Sequence, residues 1–454
     1  MTWRGRWVLG LLLLVTPVVF LYVSGMGRLL QERLIVWWIF GNRASVGYED
    51  GRLVAVSYPQ AVDTTNPVTY IQDLYGHISS PSIPFDKTIK DQLWSLKRQY
   101  DTTMFGPRLR GGYRNWCNVP VIPAEIGQLR DLKSLTIMTC RGLVLPPEIG
   151  QLTQLETLRL NQNILTDLPP EIGQLRNLRR LHLGGVFRNP GGLTHLPPEI
   201  GQLTKLEVLE VDRNGLQTLP PEIGNLTRLR RLDLSGNRLL FLPPEIGALT
   251  ELEELNLNFN QVPHLPSEIG SLTQLKTLLL AGAFRGQGGL TELPPEIGNL
   301  YQLEVLNLYN NLLTELPPEI GHLSQLRKLE IVSNELTTLP PEFGGLTQLE
   351  HLNISDNPLE SLPLTIGQLT NLRVLEAQGG ENTSLQDIPS EIGNLSNLEV
   401  LDLSSNELTH LPDTLGQLTS LKELNVRGNK LSQLPTSLSN LSQMERLQSN
   451  VSAP

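Results

Sequence analysis

Residues 155–177 read LETLRLNQNILTDLPPEIGQLRN, and this spacing of leucine, asparagine, proline and glycine returns unit after unit. Thirteen units start at Leu132, Leu155, Leu178, Leu206, Leu229, Leu252, Leu275, Leu303, Leu326, Leu349, Leu372, Leu398 and Leu421. Half a unit precedes them from Ile122, and a partial one follows from Met444. Self-similarity at a period of 20 to 50 residues marks a stacked array rather than a set of globular domains. With 39% hydrophobic and only 5% aromatic residues, leucine has to supply the core.

The spacing carries the physics. Leu158 and Leu160 lie two apart, so they share one face of a short strand and point inward. Asn163 and its equivalents follow where the chain leaves the strand inside the core. An amide there can satisfy backbone groups of the adjoining coil that would otherwise be orphaned. Leu-Pro-Pro-Glu then opens a short helical turn, since proline suits a first helical position and glutamate complements its dipole. Ile172 and Leu175 return that turn to the core. No unit buries its apolar face alone, so neighbours must stack.

LPPEIGQLTQL at 145–155 resembles the signature shared by plant intracellular Ras-group-related leucine-rich-repeat proteins and many bacterial repeat proteins. The resemblance covers roughly residues 117–450. It implies an α/β solenoid, a leucine-rich-repeat horseshoe with a concave parallel β-sheet, and a role in protein interaction. The domain organisation expected is a signal anchor or signal peptide at 1–25 and a non-repeat region at 26–115. The repeat array follows at 116–443, then a terminal cap and tail at 444–454.

Arg4 and Arg6 precede an uncharged apolar run at residues 7–23, WVLGLLLLVTPVVFLYV. As a helix it would be roughly 25 Å long, near the thickness of a bilayer's hydrocarbon core. That length favours a single membrane-spanning helix over a cleaved signal peptide, for which Val23-Ser24-Gly25 offers a site. The basic residues ahead of the run place the repeat array outside the cytoplasm, and cleavage would instead secrete it. Within 26–115, VGYEDGRLVAVSY at 46–58 reads as a hairpin and IKDQLWSLKRQY at 89–100 as a helix, a small α+β region suited to covering the first coil.

Three units are long, by five residues at Leu178 and Leu275 and by three at Leu372. The first two insertions match each other, and each carries a Phe-Arg pair, Phe187-Arg188 and Phe284-Arg285. They read either as docking fingers, because such residues populate interface hot spots, or as the inheritance of a four-coil duplication, which is favoured. Cys117 and Cys140 occupy the asparagine position of successive units. Stacking would bring their Cα atoms to ~4.8 Å, compatible with a disulfide that closes the first edge of the array.

The net charge of −10 and the lack of Lys/Arg clusters argue against nucleic acid as a partner. No nucleotide, metal or nucleophile motif is present, and the seven histidines are scattered, so no enzyme activity, cofactor or metal is expected. The glutamates of the Pro-Glu-Ile-Gly turns form a solvated file explained by the turn dipoles. What remains for function is the variable strand residues on the concave face. Between residues 206 and 330 these include Glu210, Asp212, Arg213, Asp233, Asn256, Phe259, Asn307, Tyr309 and Glu330. Acidic groups beside two aromatics suit a protein or peptide partner of basic character. The expectation is a non-catalytic, membrane-tethered binding scaffold. The alternatives are a surface adhesion protein that binds carbohydrate or matrix, and, third, an enzyme working through residues 26–115.

Overall fold

The computed structural model describes the backbone of residues 45–49 and 52–58, and residues 121–138, 142–186, 192–282, 288–380 and 385–451 with their side chains. The chain divides into two compact units, Met1–Val186 and Phe187–Pro454.

In the first unit, β1 (Ser45–Glu49) and β2 (Arg52–Tyr58) form an antiparallel hairpin with a register shift at Gly47/Tyr48. This is the hairpin that the sequence places at 46–58. β2 runs parallel to β3 (Ser134–Ile137), setting Val56 against Leu135, so the outer edge of the first coil's strand is covered. β4 (Thr157–Arg159) and β5 (Arg180–His182) continue the parallel sheet in steps of one coil.

The second unit continues the pattern. β6 (Val208–Glu210), β7 (Arg231–Asp233), β8 (Glu254–Asn256), β9 (Thr277–Leu279), β10 (Val305–Asn307) and β11 (Lys328–Glu330) are followed by β12 (His351–Asn353), β13 (Val374–Glu376), β14 (Val400–Asp402), β15 (Glu423–Asn425) and β16 (Arg446–Gln448). Each is parallel to the next, with leucine opposite leucine, as in Leu232↔Leu255 and Leu306↔Leu329. β16 lies in the segment expected to be the terminal cap, and it pairs with β15 as one further coil.

Opposite the strands, each coil makes a five-residue helical turn, as at Pro244–Ala248. Among the described residues these turns are 3-10 rather than α, because one turn of Pro-Glu-Ile-Gly is too short to close i→i+4 bonds. The Leu249 N–H donates to the Ile246 carbonyl at 3.1 Å and ends the turn. The core of this coil is Leu229, Leu232, Leu234, Leu239, Leu242, Ile246 and Leu249, all buried. Each such side chain contributes about 1.5–3 kcal/mol on burial, so stacking of these layers dominates stability.

The buried asparagines do what their position requires. Asn237 donates through Nδ2 to the carbonyls of Val211 in the preceding coil and Leu234 in its own, both at 2.8 Å. Its Oδ1 accepts from the Leu216 N–H at 3.1 Å. The glycine of each turn is set by stacking distance: a Cβ on Gly247 would lie 2.7 Å from the Glu268 carbonyl oxygen.

Several sequence expectations lie outside the described residues: the apolar run at 7–23, the helix at 89–100, Cys117, Cys140, Phe187, Arg188, Phe284 and Arg285. Among the described residues no helix is long and apolar enough to cross a membrane.

Candidate functional site

Period-two strands with both leucines inward leave the intervening side chains on the opposite face of the sheet. In the second unit this face carries Glu210, Asp233, Asn256, Asn307 and Glu330 from the strands. Asp212, Arg213, Phe259 and Tyr309 follow from the residues just after them. All nine residues singled out from sequence are therefore on the polar face or at its border, and none belongs to the leucine core.

The acidic file is less bare than its sequence suggests. Arg231, one position along the same strand face, reaches Glu254 at 2.5 Å, Glu210 at 3.4 Å and Asp233 at 4.0 Å. Glu330 accepts from Lys328 at 2.9 Å and pairs with His351 at 3.1 Å. Burial alone would raise the Glu330 carboxyl, but the bonds from His351 and Lys328 outweigh it and the net shift is downward. Asp212 behaves oppositely. Burial, then the charges of Asp233 and Glu210, push its carboxyl above the usual range, and Arg213 at 3.7 Å offsets only part of this.

Other members of the file serve the backbone. Asp233 Oδ1 accepts from the Ser235 N–H at 2.9 Å and its hydroxyl at 2.7 Å. Asn256 and Asn307 accept from the N–H groups of Asn258 and Tyr309 at 3.1 and 2.9 Å. These side chains close the strand ends, so an acceptor of Asp233, Asn256 and Asn307 is already engaged.

Phe259 and Tyr309 stand apart. They are 48% and 44% exposed, against a core in which leucines are wholly buried. Phe259 also has φ of 59°. Its position, just before the buried asparagine, is left-handed in coil after coil and is filled by glycine at Gly236 and Gly428. Gln162, Arg213, Asn310, Ser333, Asp356 and Ser405 share the conformation, and Phe259 is the one aromatic among them, at some cost to the backbone.

One arrangement escaped sequence reasoning. The residue directly after the first core position of each unit alternates in sign without exception through the thirteen units and the partial one from Met444. It runs Lys133, Glu156, Arg179, Glu207, Arg230, Glu253, Lys276, Glu304, Arg327, Glu350, Arg373, Glu399, Lys422 and Glu445. In the second unit Glu253 sits between Arg230 at 3.1 Å and Lys276 at 2.9 Å. Arg327 meets Glu350 at 2.7 Å, and Glu399 pairs with Arg373 and with Lys422 at 2.6 Å. The Glu253 carboxyl is held below its ordinary range, first by the hydrogen bond from Lys276. The signal was visible as one charge per coil at a fixed position. Among the described residues no cluster of histidine, cysteine and acidic side chains could hold a metal.

Comparison with known proteins places this architecture. The family described as "Leucine-rich repeat region" matches residues 191–285, 222–310, 267–382 and 378–453. No curated protein sequence matches the chain. Among solved structures, a leucine-rich-repeat protein of Leptospira interrogans is 40% identical with a TM-score of 0.63, over 72% of this chain and 80% of that one. The plant peptide hormone receptor RGFR1, solved in complex with RGF2, is 32% identical with a TM-score of 0.62, over 72% of this chain and 53% of the receptor's. A TDR receptor is 29% identical with a TM-score of 0.53, over 72% and 53%. The chain thus spans about half the length of these two receptors, and by its matched segments and its likeness to the Leptospira protein it belongs to the leucine-rich-repeat family.

Proposed function

We propose that this chain is a non-catalytic scaffold that holds a protein or peptide partner on the polar strand face of its second unit. The observation that carries the reading is the exposure of Phe259 and Tyr309 along a strand face that also bears Asp212, Glu210 and Asp233 in the preceding coils. Rigid aromatics supply contact area at low entropic cost, and they dominate interface energetics. Asp212 is a half-buried carboxylate with too little positive charge near it, so a basic group on the partner would gain by pairing there. The similarity to a receptor solved with a peptide hormone supports a protein or peptide ligand. The basic and apolar character of residues 4–23 supports export, with the array outside the cytoplasm and a membrane helix ahead of it.

The test separates binding from folding. Phe259→Ala with Tyr309→Ala, and separately Asp212→Lys, should abolish crosslinking pull-down of the partner from the source cells while circular dichroism stays unchanged. Glu210, Asp233 and Glu330 are poorer probes, because reversing them also frees Arg231, Lys328 and His351. Undiminished capture by both variants would exclude this face.

A further inference from the structure

In the second unit every lysine and arginine on a strand, or directly before one, is neutralised. Arg230, Arg231, Lys276, Arg327, Lys328 and Arg373 each meet a carboxylate, as do Lys422 and Arg446. The first unit breaks this pattern at two positions. Arg159 on β4 and Arg180 on β5 are exposed and have no ion-pair partner among the described residues.

The register sets these arginines close together. Thr157 lies opposite Arg180, and Arg159 lies opposite the half-buried His182. The two arginines are therefore diagonal neighbours on adjacent strands, with Cα atoms about 8 Å apart from one strand spacing and one two-residue step. Side chains of that length can converge on one carboxylate or hold two in succession. The nearby carboxylate, Glu156, belongs to the alternating file between Lys133 and Arg179.

We propose that Arg159 and Arg180 form a docking site for an acidic segment, rich in aspartate or glutamate, of the protein partner. The proposal rests on the scaffold reading above. The guanidinium fork matches carboxylate geometry in a bidentate way, and unpaired exposed arginines have that capacity unspent. Overall charge argues for a short acidic peptide over a long polyanion. At −10 the chain repels nucleic acid and other extended polyanions, whereas one or two carboxylates at a local basic site are accepted.

The experiment uses the full chain and fluorescently labelled hexaglutamate, followed by anisotropy at low salt. Saturable binding that hexaglutamine does not reproduce is expected. Arg159→Gln with Arg180→Gln should weaken it on the order of tenfold, since each loses a charge-assisted contact. Arg230→Gln, in a residue already paired, should leave it unchanged. Equal binding by the double variant, or hexaglutamate binding no tighter than hexaglutamine, overturns the proposal. So does tighter binding of inorganic polyphosphate than of hexaglutamate, which would assign the site to phosphate. If sedimentation velocity reveals a dimer that the double variant abolishes, the occupant is a second copy and the proposal falls. Phe259→Ala with Tyr309→Ala must not alter hexaglutamate binding. Loss of partner capture in the arginine variant alone, or in the aromatic variant alone, therefore tells which of the two readings has failed.

Discussion

Exchanging the charges of one pair in the alternating file separates a ladder from a set of independent ion pairs. In the double variant Arg327→Glu with Glu350→Arg, the pair now at 2.7 Å keeps its opposite signs. The file around it changes from Glu304, Arg327, Glu350, Arg373 to Glu, Glu, Arg, Arg. Two like-charged neighbours are created, Glu304 with residue 327 and residue 350 with Arg373. At roughly 5 Å in water each contact turns from attraction to repulsion, a change of about 1.7 kcal/mol, giving a loss of about 3 kcal/mol at low ionic strength. At 1 M salt, where the Debye length is about 3 Å, the same change costs about 0.6 kcal/mol in total. Urea unfolding in 10 mM and 1 M NaCl, compared by midpoint because long arrays need not unfold in two states, measures the difference. A variant as stable as the parent at low salt would refute the ladder, because independent pairs predict neutrality. A loss that persists undiminished at high salt would show that packing, not charge, is responsible.

Asn237→Ala removes three buried hydrogen bonds and should cost at least about 2 kcal/mol, read as a lowered urea midpoint. Gly247→Ala drives a Cβ to 2.7 Å from a backbone oxygen of the next coil and should cost about 1–3 kcal/mol by the same measurement. Phe259→Asn relieves a left-handed backbone strain of about 1 kcal/mol, so the melting temperature should hold or rise while partner capture falls. Glu253 has a depressed pKa, so its stabilisation is present above the unfolded value of about 4.3 and is lost as pH falls through the folded one. The stability difference between the parent and Glu253→Gln should therefore vanish on acidification. Asp212 has a raised pKa, so a basic partner should be released as pH falls through it, at a higher pH than an ordinary carboxylate would give.

The coil itself was legible in the sequence because its determinants are local. The two-residue step of Leu158 and Leu160, the Asn163 that follows and the proline of the next turn each have one physical use. The hairpin at 46–58 was legible for the same reason, but its attachment to β3 was not, because pairing across more than seventy residues leaves no local trace. Period alone set the candidate residues apart from the leucine core, and the strands carry them on the opposite face. Their electrostatics were misjudged, because Glu210 and Asp233 were read along one file while Arg231 neutralises them from the next. The same oversight hid the alternating ladder, which emerges only when one position is followed across coils. The left-handed φ at Phe259 recurs just before the buried asparagine of coil after coil, but that position is filled by many residue types, so it left no glycine signature in the sequence.

The most direct test places a photo-crosslinking amino acid at Tyr309 on the strand face and, in a separate protein, at Ala248 on the 3-10 turn of the same array. The partner should become covalently attached through position 309 and not through 248. Attachment through 248, with none through 309, would contradict the assignment of the strand face as the binding surface.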